Sequence, residues 1–204
     1  DKLLPDEISF GLTTKIIGKQ IMHHDMVNST MDLAMEWGIK GAAEGSVICA
    51  EGQYKGRGRL GREWASAKQK GIYLSLILRP NITPLESPQL TLLSAVAVCG
   101  AIRAMTRLDC RIKWPNDLII NNKKVGGILT EMNAETDRVK FIVIGIGINV
   151  NTAESALPPK ATSLKEERGE HVSRLDLTRE ILQAFETEYM LFQRQGFTAV
   201  IEKW

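Results

Sequence analysis

Apolar positions along this chain fall into two kinds of run. Short, nearly unbroken strings read as buried strands: Gly45–Glu51, Ile72–Leu78 and Val139–Val150, with a briefer one at Ile21–Val27. Longer stretches carry apolar residues at helical spacing. Ser29 with Asp32 three positions on has the form of a capping box, so a helix starts there with Leu33, Met35 and Trp37 inward. Ser87-Pro88 opens a second helix reaching about Thr106, apolar on most faces and therefore deeply packed. Leu177, Ile181, Phe185, Tyr189 and Phe192 form one stripe of a third helix over 175–193, closed by Gly196. Between them, residues 111–120 read as a strand broken at Pro115. Asn121-Asn122 is a turn, and 123–131 returns as the hairpin partner. Residues 152–169, with Pro158-Pro159, read as loop.

Strands separated by helices, with hairpins among them, predict an α/β (α+β) domain: a mixed sheet flanked by helices. Length changes that picture little, since 204 residues suit one large domain with at most a small appendage. Residues 1–20 are mixed in character and read as a linker or short helix arriving from something upstream, with the domain proper at 21–204. Charge adds a restriction. With 26 basic and 24 acidic residues, a general nucleic-acid coat is disfavoured and positive charge is local. Cys49, Cys99 and Cys110 cannot all pair, and two lie in apolar strings, which points to reduced thiols and a cytoplasmic setting. No cysteine–histidine cluster has zinc spacing, no apolar run approaches the roughly 20 residues of a membrane span, and no signal peptide opens the chain.

The local charge lies in Gly56-Arg57-Gly58-Arg59-Leu60-Gly61-Arg62, delivered by the strand ending at Glu51-Gly52-Gln53. Closely spaced glycines let backbone amides approach a ligand, and the arginines offer planar forks suited to phosphate or carboxylate. The sequence is not a P-loop, and it lacks the strand–turn–helix context of a dinucleotide fold. It is either a flexible anion cradle or a solvated hairpin. Ser29 and Thr30 either cap a helix or hold a polar ligand at its start. Asn116, Asp117 and Lys124 interrupt apolar sequence, as a site does or as a satisfied turn does. Alternate glycines at 145 and 147 indicate close approach of a neighbour or ligand.

Taken in order, Ser29-Thr30, Glu51-Gly52-Gln53, GRGRLGR, Lys113-Trp114-Pro115-Asn116-Asp117, Lys124-Val125-Gly126-Gly127-Ile128-Leu129 and Gly145-Ile146-Gly147-Ile148-Asn149 resemble the catalytic domain of biotin protein ligases. The matches run from about Ser29 to Asn149, and the order and spacing carry the likeness. It implies a fold related to class II aminoacyl-tRNA synthetases. It implies a cytoplasmic ligase that joins biotin to the α-phosphorus of MgATP, giving biotinyl-5′-AMP, and passes the acyl group to a lysine of biotin carboxyl carrier protein.

By the same resemblance Arg57 and Lys124 hold the biotin carboxylate and α-phosphate, with Arg59 on the loop and phosphates. Gly56 and Gly58 give backbone contacts. Ser29, Thr30 and Gln53 meet the ureido ring, Met31 contributes through its backbone, and Gly127 helps form the apolar slot. Asn149 is placed for the adenine edge and Trp64 for apolar cover of the nucleotide. Asn116 and Asp117 are implied near the nucleotide, for Mg²⁺ or for ordering Lys113. The glycine-arginine loop and residues 152–159 are the segments loose enough to close over an adenylate.

Relatives supply further expectations: a homodimer, a C-terminal SH3-like domain that is absent here, and DNA binding only where a winged-helix domain precedes. Met31 stands where many relatives have Asn, and Leu60 where some have Arg. A lipoate-type ligase on the same fold and a non-catalytic biotin or biotinyl-AMP sensor are the alternatives.

Overall fold

In the computed structural model, which describes residues 1–203, the apolar strings assemble into one seven-stranded sheet of order β1-β2-β3-β7-β6-β5-β4. The strands are β1 (Ile21–Val27), β2 (Val47–Gln53), β3 (Gly71–Leu78), β4 (Arg111–Lys113), β5 (Asp117–Ile120), β6 (Lys123–Ala134) and β7 (Val139–Asn149). Only β1 and β2 run parallel, because α2 (Thr30–Ile39) connects them; the other neighbours are antiparallel. The remaining helices are α1 (Pro5–Ser9), α3 (Ser87–Thr106), α4 (Leu164–Arg168), α5 (Arg174–Gln195) and α6 (Thr198–Ile201).

Helix α2 packs on one face of the sheet, and α3 and α5 cover the other. On β7 the even positions Ile142, Ile144, Ile146 and Ile148 enter the large core with α3 and α5. The odd positions face α2, where Phe141 and Val143 join Met31, Ala34 and Ile77. The stripe predicted for the last helix is buried as expected. By length and composition, 84–106 is apolar enough to cross a membrane, contrary to the sequence reading, but α3 lies packed against the sheet and α5.

Residues 1–20 are packed rather than loose. Leu3, Ile8 and Ile17 are fully buried, and three polar clamps reach across from α5. Arg174 holds Asp1 and, at 2.9 Å, the buried carboxylate of Glu51, which also accepts the Leu3 amide at 2.8 Å. Arg179 donates to the Glu7 carbonyl. Glu186 accepts the amides of Lys15, Ile16 and Ile17 at 2.6–2.8 Å. At the α2 start only half of the capping box forms: Ser29 Oγ accepts the Met31 amide, while Asp32 turns outward to Arg57.

Candidate active site

The cavity exists because side chains run out on the α2 face of the sheet. Past Phe141 and Val143, β7 presents Gly145 and then Gly147. Gly147 pairs with Gly127 of β6 and Tyr73 of β3, and Gly127 pairs with Asp117 of β5. Two side chains settle on this bare floor. A Cβ on Gly145 would lie 2.5 Å from Met31 Sδ, and one on Gly147 would lie 2.6 Å from the Trp64 ring. The alternate glycines thus mark a close approach, as their pattern indicated. The space that remains is about 280 Å³.

One end of the cavity is a polar cluster. Gln53 Oε1 accepts the Thr30 amide at 2.9 Å and the Thr30 hydroxyl at 3.2 Å. Ser75, fully buried on β3, donates to Thr30 Oγ1 at 2.9 Å. Gln53 Nε2 donates to Ser66 Oγ at 2.8 Å, and Ser66 donates to the Trp64 carbonyl. These contacts orient the Gln53 amide: its oxygen is taken up by Thr30, and one amide hydrogen remains beyond the Ser66 bond. Tyr73 lies beneath the cluster and donates to the Ala67 carbonyl; burial pushes its phenol up, so it is neutral. Trp64 Nε1 is buried over Gly147 without a hydrogen-bond partner.

The other end carries charge. Lys124 Nζ lies 2.6 Å from Asp117 Oδ1 and 5.4 Å from the Trp64 ring centre, combining an ion pair with a cation–π contact. Arg59 donates to Asn116 Oδ1 at 3.2 Å. Asn116 is itself fixed, donating through Nδ2 to the Ile128 carbonyl at 2.8 Å and accepting the Ile128 amide on its backbone oxygen. It follows the cis Trp114–Pro115 bond that breaks the strand where Pro115 was expected to.

Between the two ends stands the glycine-arginine loop, a short hairpin. Arg57 bridges Glu63, the Gly58 amide donates to the Arg62 carbonyl at 2.7 Å, and the Trp64 amide donates to the Gly56 carbonyl at 2.8 Å. Leu60 and Gly61 turn at its tip with φ 57° and 72°, the left-handed pair that a two-residue hairpin needs. Gly56 allows the two limbs to touch: a Cβ there would lie 2.3 Å from the Trp64 carbonyl oxygen. Arg57 reaches out of the hairpin to Asp32 at 2.7 Å and to Glu131.

Comparison with known proteins adds the lineage. The biotin/lipoate A/B protein ligase family model matches residues 24–149. This chain belongs to that family. A bifunctional ligase/repressor BirA of Bacillus spizizenii is 45% identical across the whole chain. The chain spans only 64% of that relative's length. A biotin–[acetyl-CoA-carboxylase] ligase of Paracoccus denitrificans is 33% identical over 82% of this chain and 71% of its own. Among solved structures, the biotin protein ligase of Aquifex aeolicus in complex with biotin and ATP superposes with a TM-score of 0.78, at 32% identity. That match covers 91% of this chain and 76% of that one.

Most of the site residues that the family resemblance named converge on the cavity. Thr30, Met31, Gln53, Arg57, Gly58, Arg59, Trp64, Asn116, Asp117, Lys124 and Gly127 all line it. Three do not. Ser29 is spent capping α2, and Gly56 lies in the neck of the hairpin. Asn149 donates to the Thr162 carbonyl at 3.0 Å and so ties down the segment after β7. Within the loop expected over 152–169, residues 153–159 are mostly exposed, whereas the stretch after them is tied down. Lys124 and residues 160–162 exchange backbone bonds, Ser163 donates to the Thr152 carbonyl, and α4 follows directly. The Gly58 amide is consumed by the hairpin ladder and is not free to cradle an anion.

Sequence reasoning passed over Ser66, Ser75 and Tyr73. Ser75 left a trace, a hydroxyl inside an otherwise apolar strand. Ser66 left none, because its role comes from where the hairpin returns.

Proposed function

We propose that this domain activates biotin with MgATP to biotinyl-5′-AMP and passes the acyl group to a lysine of biotin carboxyl carrier protein. The observation that carries the reading is a single cavity joining two unlike ends. One is a neutral donor–acceptor cluster over an apolar, glycine-floored slot. The other is a pair of cations, Lys124 and Arg59. A molecule with a polar ureido head, an apolar bicycle and tail and a terminal carboxylate matches that sequence of environments. The Aquifex relative, solved with biotin and ATP, supports placing both compounds here.

In the first step a carboxylate oxygen bonds to the α-phosphorus and the bond to pyrophosphate breaks. Two anions must meet, so fixed positive charge that needs no reorganisation lowers the barrier. Lys124 is held in place by Asp117 and Trp64, and Arg59 by Asn116. In the second step an uncharged lysine amine bonds to the acyl carbon and AMP leaves, with no protein nucleophile required.

Magnesium would enter on the nucleotide's phosphates. Among the described residues no group of three or more ligating side chains stands ready to hold a metal. Asp117, already paired with Lys124, and Glu63 line the cavity and would be the carboxylates nearest such an ion. Such an ion would supply charge neutralisation on the phosphates.

The same reading places the protein in the cytoplasm, in keeping with three buried, unpaired thiols. It includes a homodimer formed through a sheet edge, and DNA contact only where a winged-helix domain precedes the chain.

Biotin-dependent ATP–pyrophosphate exchange tests the proposal. Exchange should require biotin and not be supported by lipoate. Lys124→Ala should lower it by about 100-fold or more, the scale of losing one preorganised charge. Exchange with lipoate alone, or near-normal exchange in Lys124→Ala, would contradict it.

A further inference from the structure

Arg57 differs from the other cations of the site in how its charge is used. Its two terminal nitrogens are each given to a separate carboxylate, Nη1 to Asp32 at 2.7 Å and Nη2 to Glu131. Those partners come from different elements. Asp32 stands in the first turn of α2, and Glu131 on β6, on the sheet face that also bears Gly127 and Leu129. One positive charge flanked by two negative ones leaves this corner net negative. An incoming carboxylate or phosphate is repelled here, while Arg59 rests on a neutral amide and Lys124 on a single carboxylate.

The bridge also spans the structure in a particular way. Arg57 is the first residue of the hairpin's own ladder, paired with Glu63. Fixing its guanidinium to α2 on one side and β6 on the other therefore fixes the hairpin across the cavity mouth. Beyond the hairpin lies a second, more open groove of about 710 Å³, walled by Pro88, Thr91 and Trp114. The hairpin is thus a partition with space on both sides, tied across the cavity by the charged Arg57 bridge and by the neutral 3.2 Å bond from Arg59 to Asn116.

We propose that Arg57 is a positioning residue. Together with Asp32 and Glu131 it straps the hairpin over the cavity and sets how long a bound ligand is retained, and it does not itself bind the substrates' anionic groups. The three side chains are half-exposed, so the strap is weak and salt-sensitive, suited to a closure that must reopen for product release. The geometry of the strap is independent of the proposed function; the identity of the retained ligand rests on it.

The test compares the wild-type chain with the double variant Asp32→Asn/Glu131→Gln, which keeps size and removes both charges. Amide hydrogen exchange of residues 55–63 in the ligand-free protein should quicken roughly tenfold, a tenfold change in the closing equilibrium being about 1.4 kcal/mol. Biotinyl-AMP formed in place should leave roughly tenfold faster, while pyrophosphate exchange at saturating biotin and ATP stays within about twofold. Raising salt from 0.1 to 1 M should hasten release from the wild type more than from the variant, which keeps the Lys124 and Arg59 contacts but lacks the strap. Arg57→Lys, a single point charge that cannot fork to both carboxylates, should release at an intermediate rate.

Unchanged loop exchange in the double variant would overturn the strap. So would unchanged release, or a fall in exchange rate at saturation without faster release. A wild type with no biotin-dependent exchange would defeat the proposed function, and the loop amides would then still decide on the strap.

Discussion

Leu60 shows what a single residue contributes to the hairpin. It sits at the tip with φ 57° and ψ 37°, almost fully exposed, so it bears left-handed strain with no packing in return. Asn tolerates that conformation better. Leu60→Asn should therefore raise stability by up to about 1 kcal/mol in urea unfolding, with the m-value unchanged; a lowered midpoint would contradict the assigned turn. Gly147 is the opposite case. A methyl there meets the Trp64 ring at 2.6 Å, whereas one on Gly145 meets the end of the flexible Met31 side chain. Gly147→Ala should weaken biotin binding by roughly tenfold or more, and Gly145→Ala by less, because a thioether shifts more easily than an indole. Calorimetry would check the order, and a larger loss in Gly145→Ala would show that Trp64 does not sit on the floor of the site.

At the scale of elements, α5 grips the leading segment through buried ion pairs and a carboxylate nest. Burial works to raise the Glu51 carboxyl, but the Leu3 amide and the Arg174 guanidinium outweigh it and hold it below the usual range. Glu186 is likewise raised by burial and lowered further by the amides of Ile17, Lys15 and Ile16. A depressed native value stabilises the fold above the unfolded Glu value of about 4.3 and loses that stability as pH falls through the native value. Urea stability should therefore hold above about pH 5 and decline below about pH 4. Glu186→Gln should flatten that decline; an identical acid profile would remove the nest from the account. Glu51→Gln leaves Arg174 buried with Asp1 as its ionic partner and should cost about 1.5–3 kcal/mol, the scale of weakening a charged hydrogen bond.

Elements were the most legible level of the sequence, since runs such as Ile72–Leu78 and the stripe on α5 declare their own period. The α2-facing row was half legible. Gly145 and Gly147 announced a close approach, but not that Trp64 and Met31 would make it, because the hairpin returns Trp64 from a stretch with no periodic pattern. The role of Asp32 was hidden for a related reason: its spacing from Ser29 satisfies a capping box, and only the tertiary position of Arg57 draws it away.

For the molecule as a whole, the order of the sheet decides which motifs meet. Placing β7 between β3 and β6 brings Tyr73, Gly147, Gly127 and Asp117 into one row, although they lie far apart in sequence. Such pairings are long-range and leave no local signature, which is why a mixed sheet could be foreseen while its order could not. The contact of Asn149 was hidden at this level too, since the segment ending at Thr162 folds back alongside β6 and accepts a hydrogen bond from its amide. The thiols are a whole-molecule property as well. Burial pushes the Cys49 thiol up to about 12, so it is inert to mild alkylation in the folded state.

The central claim is that one cavity brings a biotin carboxylate and an ATP α-phosphate together at Lys124. Incubating the protein with biotin, magnesium and ATP labelled at the α-phosphate, then recovering bound nucleotide after rapid gel filtration, tests it most directly. The account predicts close to one equivalent of labelled biotinyl-AMP on the wild-type chain and almost none on Lys124→Ala. No labelled adenylate on the wild type, or equal amounts on both, would contradict it.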